Sequence, residues 1–435
     1  MKELLEPIRG FRDYVPPESD AITWICDNFK EVARLFGYRE VRTPTVENFK
    51  LFALKSGEEI RNSMYVFKDK GDREVALRPE VTPSVIRVYL KELRSWPKPI
   101  RLFYVANVFR YDEPQYGRYR EFTQAGVEIL GGDSIYYDSE LIELLEEFYH
   151  RIGLTRRVYK VNNVAIFKKI AKMARFTDEE TERMLHLLDK GMFQNVTEMF
   201  ESKGFPKYSE LVMFLANAYK EGYNIDGVIA KLSELGVYNE LREDIELLAK
   251  YIDMVKGIGA NVVVDPGFAR GIAYYTSIIF EVQVPGMTIS IAGGGRYDNL
   301  TTVYGGEELS STGFAIGVER TLLALQNLGI DLEKLLHRQS ALLLLLDESI
   351  RRNSNLNVLL KQLRGRGVVI QLEVSPPAKM SRWLEYASKT GFDYVVIIGR
   401  KEAEKGMAVV RDLKRWSQTE VELNNLVEVL GHGAR

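Results

Sequence analysis

The feature that most constrains this chain is a pair of strand-forming runs, RLFYVANVF (Arg101 to Phe109) and REFTQAGVEIL (Arg120 to Leu130), separated by the polar loop YDEPQYGRY. Runs of this length, rich in aromatic and β-branched residues and joined by turn-forming residues, predict an antiparallel hairpin with a long charged tip. Side chains alternate across a strand, so Gln124, Gly126 and Glu128 share one face while Thr123, Ala125, Val127 and Ile129 take the other. An amide and a carboxylate on either side of a bare glycine can form the floor of a small polar pocket. From alternation alone, a half-exposed edge strand with solvated polar groups is the competing reading. Arg110 ends the first run, and Arg118 and Arg120 lie across the loop. Such a tip can grip phosphate oxygens by charge-assisted hydrogen bonds, or it can simply be solvated.

The rest of the chain is organised around that hairpin. An amphipathic helix is predicted from about Ala21 to Phe36, ended by Gly37, and the extended stretch YREVRTPTVE follows, interrupted at Pro44, a residue suited to a strand edge, a bend or an interface. Between about Ala165 and Arg242 the texture turns to charged, helix-forming sequence such as DEETERMLHLLDKGM, which reads as a helical insertion. Strand character returns with NVVVD. SIIFEVQV and MTISIAGGG then flank Pro285-Gly286 as a second hairpin, before the helix ERTLLALQNL. From Ala341 the pattern ALLLLLD, helix, VVIQLEV, helix, YVVIIG is a βαβαβ unit with a parallel sheet. At 435 residues the chain needs more than one core. The expected fold is α+β and multidomain: a mainly antiparallel sheet with helices (1–164 and 243–330), a helical insertion (165–242) and a smaller α/β domain (340–435).

Composition narrows the function more by exclusion than by suggestion. The single cysteine, Cys26, rules out a disulfide framework and a cysteine metal cluster, and fits a reducing compartment. His150, His186, His337 and His432 are scattered without metal-ligand spacing, so no zinc site and no protein-held metal is expected. The N-terminal MKELLEPIRGF has no apolar run, and the longest aliphatic stretch, Ala341 to Leu346, falls far short of the roughly 18 residues of a membrane span. A cytoplasmic location without membrane contact is therefore expected. A net charge of −2 announces no nucleic-acid partner, although the chain from Ala341 onward is slightly basic.

Two further stretches carry chemistry-bearing residues. RGIAYYTS sets Arg270 beside Tyr274 and Tyr275, and STGFAIGVER puts Arg320 in the first turn of a helix, whose N-terminus already favours anions. Either arginine can equally be a surface residue. GGGRYDNL lacks the strand-then-helix context of a dinucleotide or Walker fingerprint, and its glycines let a flat ligand or another backbone approach the sheet, or form turns.

Taken together and in order, these stretches resemble the histidyl-tRNA synthetase family over nearly the whole chain. GYREVRTPTVE resembles class II motif 1 with Pro44 as its proline, VFRYDEPQYGRYREF resembles motif 2, and GFAIGVER resembles motif 3. LRPEVTPSVIR, RGIAYYTS and GGGRYDNL resemble stretches particular to the histidine enzyme. The resemblance implies that Arg110 and Arg270 hold the ATP α-phosphate and the amino-acid carboxylate, with Arg118 and Arg320 on the triphosphate tail and Asp112 among the ATP-binding residues. It implies that Glu80, Thr82 and Gln124 take the α-amino group, that Glu128 and Tyr275 hydrogen-bond the imidazole, and that Tyr274 belongs to the same site. Gln115 and Tyr116 would meet the tRNA acceptor end, Pro44 a homodimer interface, and Mg²⁺ the outgoing pyrophosphate of ATP.

Such chemistry needs positioning and charge neutralisation more than a protein nucleophile. A buried site that hydrogen-bonds an imidazole can discriminate by roughly 10⁴ or more without proofreading. The insertion is accordingly expected to brace the tRNA acceptor arm rather than to edit. Asp112 and Glu113 depart from the bacterial form of motif 2, and Val81, Ala273 and Ser277 from commoner residues of the family. The chief alternative is a histidine-sensing regulatory paralogue of ATP phosphoribosyltransferase, which lacks the anticodon-binding domain that the C-terminal stretch resembles. Other class II synthetases, prolyl or threonyl, are disfavoured by RGIAYYTS and Glu128, and a polymerase accessory subunit by the arginine set.

Overall fold

The structure is a computed structural model, and it describes residues 5–56, 58–269, 274–375 and 379–431. Two compact units divide between Leu332 and Glu333.

The strands of the first unit are β1 (Arg39–Glu40), β2 (Val46–Asn48), β3 (Val66–Lys68), β4 (Glu74–Leu77), β5 (Ile100–Phe109), β6 (Glu121–Leu130), β7 (Val158–Asn163), β8 (Val262–Val264), β9 (Ile278–Gln283), β10 (Ala292–Arg296) and β11 (Ser311–Gly317). Eight of them form one sheet in the order β1-β5-β6-β11-β10-β9-β7-β8, antiparallel except at the two edge pairs β1/β5 and β7/β8. β2, β4 and β3 make a small separate sheet. YREVRTPTVE is therefore not one strand. The ladder stops at Glu40, residues 41–45 are irregular around Pro44, which has no N–H to donate, and Val46 begins the other sheet.

β5 and β6 pair from Ile100↔Leu130 to Phe109↔Glu121, and β11 closes on the other side of β6. β6 is thus an inner strand, buried from Gln124 to Leu130. Solvated polar groups on a half-exposed edge are not what the alternation of Gln124 and Glu128 reports. The face bearing Val127 and its partner Phe314 packs on the helices Glu18–Leu35, Ile135–Arg151 and Val318–Asn327. There Phe29 sits edge-on to both Phe148 (5.5 Å) and Phe314 (6.2 Å). Gly37, at φ +82°, ends the first helix in the left-handed conformation that glycine adopts without penalty.

Between β7 and β8 the chain is helical, from Ala165–Met173 through Asp178–Asp189, Phe193–Ser202, Pro206–Ala218 and Ile225–Glu234 to Tyr238–Gly257. The last helix continues past Arg242 because Leu241, Ile245, Leu248, Ile252 and Val255 keep an uninterrupted apolar stripe buried. Downstream, the second hairpin is shorter than its sequence pattern. β10 starts only at Ala292, and residues 287–291 are irregular.

The second unit holds β12 (Ser340–Leu345), β13 (Val369–Val374), β14 (Tyr394–Ile398), β15 (Met407–Asp412) and β16 (Ser417–Glu422), ordered β13-β12-β14-β15-β16. The first three are parallel, as the βαβαβ pattern predicts, and β15 and β16 add an antiparallel hairpin. Asp393, just before β14, is buried and accepts bonds from the Ser340 amide (2.9 Å), His337 Nε2 (3.0 Å) and Lys414 Nζ (2.7 Å). Burial pushes its carboxyl up, but these three partners outweigh burial and hold it below the ordinary aspartate range.

Candidate active site

A cavity of about 120 Å³ opens on the sheet face opposite the helices. Its floor follows from the strand register. Gly126 pairs with Ala315, Gln124 with Gly317 and Glu128 with Gly313, while on the next strand Gly293 and Gly295 face Ala315 and Gly313. Directly paired residues of antiparallel strands point to the same side. The cavity floor is therefore hydrogen and methyl, with the main chain close beneath it. A Cβ on Gly126 would stand 2.5 Å from both the Tyr104 hydroxyl and the Phe314 carbonyl, and one on Gly313 would strike the Glu128 carboxylate. In GGGRYDNL the glycines allow the close backbone approach expected of them. Gly293 lines the cavity, and Gly294 and Gly295 let neighbouring backbones come close.

Polar groups stand around this floor. Glu128 is 1% exposed. It accepts hydrogen bonds from Thr82 Oγ1 (2.7 Å), from the Tyr297 hydroxyl and, at 3.5 Å, from the Tyr104 hydroxyl. Burial, reinforced by the Glu128 charge, pushes both phenols well above their ordinary range, so they serve as donors. An ionised carboxylate offers about four lone-pair sites. Gln124 is 9% exposed, and its Oε1 has no hydrogen-bond partner among the described residues. A buried, unpaired amide oxygen costs roughly 1–3 kcal/mol, which a ligand N–H would recover. Glu80 takes a 3.4 Å bond from the Tyr274 hydroxyl, and Tyr275 is buried in the cavity wall.

Cationic groups occupy the other end. Arg110 Nε donates to the Pro79 carbonyl (3.0 Å) and its guanidinium lies 5.4 Å from the Phe122 ring centre, at the cavity edge. Arg320 donates to the Gly117 and Ser290 carbonyls, both at 3.0 Å, from the first turn of Val318–Asn327. That helix is anchored through buried Glu319, whose carboxyl burial pushes up and which accepts from the Thr123 amide at 2.8 Å.

The structure thus brings Glu80, Thr82, Arg110, Gln124, Glu128, Tyr274, Tyr275 and Arg320 to one cavity. Arg118, Gln115 and Tyr116 lie exposed on the hairpin tip, with Asp112 half-buried nearby, and none of these four lines the cavity. Arg120 is spent locally: it bonds the Asp112 carbonyl and stacks 4.0 Å over Tyr111. Arg270 and Ala273 lie outside the described residues. Pro44 is exposed, far from these groups in sequence, and its carbonyl accepts from Arg78. The strand pattern does not single out Tyr104 or Tyr297. A signal for Tyr104 exists only once the register is known, because an aromatic residue pairs with a glycine, Tyr104↔Gly126.

An antiparallel sheet that carries an arginine at the end of one hairpin strand and another in the first turn of the helix after the last strand is the catalytic fold of class II aminoacyl-tRNA synthetases, and this chain has that fold. The family model for histidyl-tRNA synthetase matches residues 10–321, and that for the anticodon binding domain matches residues 347–432. Histidine–tRNA ligases of Sulfolobus acidocaldarius and Metallosphaera sedula are each 42% identical to the chain over 98% of both lengths. A solved histidyl-tRNA synthetase from Nostoc sp. PCC 7120 superposes with a TM-score of 0.80 at 21% identity, covering 98% of this chain and 99% of that one. The chain belongs to the histidyl-tRNA synthetase family.

Proposed function

We propose that the chain is a histidine–tRNA ligase, joining histidine to ATP as histidyl-adenylate with release of pyrophosphate, then passing the histidyl group to the 3′ end of its tRNA. The observation that carries the amino-acid assignment is Glu128, a buried carboxylate lining the cavity among hydroxyl donors and beside Tyr274 and Tyr275. A carboxylate there can accept from an imidazole N–H, and Tyr275 with Tyr274 lines the same wall. A side chain without a ring N–H offers that buried carboxylate no donor, which is how such a site rejects it. The unpaired Gln124 oxygen, with Glu80 and Thr82 beside it, suits the α-ammonium.

In the first step a histidine carboxylate oxygen attacks the α-phosphorus. The bond to the bridging oxygen breaks, and pyrophosphate leaves with the electron pair. Arg110 and Arg270 neutralise the carboxylate and α-phosphate as charge develops, and Arg118 and Arg320 hold the triphosphate tail near a helix N-terminus. Asp112, on the same hairpin loop, joins the nucleotide contacts. Magnesium enters as the complex of the triphosphate. Bound there, it would offset the negative charge of the departing pyrophosphate.

For the second step, Gln115 and Tyr116 project from the hairpin tip, Tyr116 at 71% exposure, where the acceptor end of the tRNA can reach them. The helical insertion braces the acceptor arm, and residues 340–435 read the anticodon. The exposed Pro44 and Val46 form part of a homodimer interface. No helix among the described residues is long and apolar enough to cross a membrane, and a cytoplasmic site of action fits that. A histidine-sensing regulatory subunit finds no support in the relatives, and the match of residues 347–432 to an anticodon binding domain speaks against it.

The test is ATP–pyrophosphate exchange with each amino acid in turn. Histidine alone should sustain it. Absence of histidine-dependent exchange sinks the enzyme reading, and exchange with another amino acid moves the specificity.

A further inference from the structure

The segment carrying Tyr274 and Tyr275 leaves the sheet after β8 and rejoins it at β9, and the described residues at both of its feet rest on β7 and the helices that follow it. At the upstream foot, Lys160 of β7 pairs with Asp265 at 3.1 Å, and the buried Asn162 donates to the carbonyls of Pro266 (3.1 Å) and Phe268 (2.7 Å). Gly267 lies against the helix Pro206–Ala218 so closely that a Cβ there would stand 2.5 Å from Ala216 Cα, a backbone atom that cannot swing aside. At the downstream foot, Lys168 of the first inserted helix, Ala165–Met173, donates from Nζ to the Tyr275 carbonyl at 2.5 Å.

That last bond is unusual in kind. A lysine ammonium is a strongly hydrated charge that ordinarily ends in water or on a carboxylate. Here the half-buried ammonium donates to a peptide carbonyl, and that carbonyl belongs to a residue of the cavity wall. Hydrogen bonds with one charged partner are roughly twice as strong as neutral ones, so this contact holds the Tyr275 backbone more firmly than a turn bond does. Ile166, Phe167 and Ile170 are buried and fix the helix from which Lys168 reaches.

We propose that Lys168 is a positioning residue for amino-acid recognition, setting through the Tyr275 carbonyl where Tyr274 and Tyr275 stand relative to Glu80 and Glu128. The helical insertion is then part of the amino-acid site as well as a surface for tRNA. This rests on the histidine reading of that site. A recognition wall displaced by even about 1 Å loses the alignment on which both binding and attack depend.

The experiment uses the full chain with Lys168→Met, Lys168→Gln and Lys168→Arg, measured by histidine-dependent ATP–pyrophosphate exchange. Lys168→Met should raise KM for histidine about tenfold, equivalent to about 1.4 kcal/mol, while KM for ATP stays within about twofold. Lys168→Arg keeps a charged donor and should return KM for histidine to within about threefold of the parent. If the Met variant does not fold, Lys168→Gln carries the same comparison, with a weaker neutral donor in place. An unchanged KM for histidine, a parallel rise in both KM values, or an Arg variant no better than Met overturns the proposal. A parent chain without histidine-dependent exchange instead overturns the functional reading beneath it, so the two failures are separate.

Discussion

Replacing Tyr297 by phenylalanine removes a single oxygen from the amino-acid site and leaves its ring in place, edge-on to Tyr274 at 5.7 Å and 87°. The lost hydroxyl donates to Glu128, as do those of Thr82 at 2.7 Å and Tyr104 at the outer limit of 3.5 Å. A hydrogen bond to a charged acceptor contributes roughly 1.5–3 kcal/mol, and a buried acceptor has no water to replace it. Tenfold per 1.4 kcal/mol turns this into a rise of about 10- to 100-fold in KM for histidine. Tyr104→Phe should cost under about 1 kcal/mol because its bond is already stretched. KM for ATP should barely move in either variant, since the cationic end of the cavity is untouched. The assay is pyrophosphate exchange at varied histidine and at varied ATP, with a thermal melt to catch loss of folding. If Tyr297→Phe leaves KM for histidine within twofold, or if Tyr104→Phe proves the more damaging, the ordering of donors around Glu128 is wrong.

Other outcomes follow from the same geometry. Glu128→Gln should abolish histidine-dependent exchange or weaken it beyond about 100-fold, with the fold retained in circular dichroism. Arg320→Ala should lower kcat for exchange by about 10²- to 10³-fold without changing histidine affinity measured by calorimetry in the absence of ATP. Asp393 has a folded-state pKa below its unfolded value of about 3.9, so its contribution is present above that pH and is lost as pH falls through the folded value. Asp393→Asn should therefore lower the melting temperature of the C-terminal unit at pH 7, with the difference from the parent shrinking toward pH 3. The homodimer interface proposed at Pro44 and Val46 is tested by Val46→Glu, at a position 44% exposed in the single chain: the parent should sediment at twice the chain mass and the variant closer to one.

Much of this was readable before any coordinates. Strand alternation put Gln124 and Glu128 on one face because a period of two survives in any register. The βαβαβ unit of the C-terminal stretch was legible because helix and strand periods alternate there without ambiguity. What alternation could not say was whether β6 stands at the edge or inside, since that depends on β11, nearly two hundred residues away. Tyr104 and Tyr297 escaped for the same reason: one becomes notable only opposite Gly126, and the other only when β10 delivers it to Glu128. Pro44 marked a break, but the transfer of the chain to a second, smaller sheet is a tertiary event. The hairpin after β14 also escaped notice, because SQTEVE has Val421 as its single apolar residue and so shows no alternation.

The glycine-lined floor has a consequence for how such a site can change over time. Gly126 and Gly313 have no room for a methyl group, since one would meet the Tyr104 hydroxyl and the other the Glu128 carboxylate. In a saturation-mutagenesis map these positions should reject even alanine. Bulk cannot be added from beneath to exclude a larger ligand, nor removed to admit one. Any drift in amino-acid preference is therefore confined to a few wall residues, which makes the lineage slow to acquire a new substrate and quick to lose the old one.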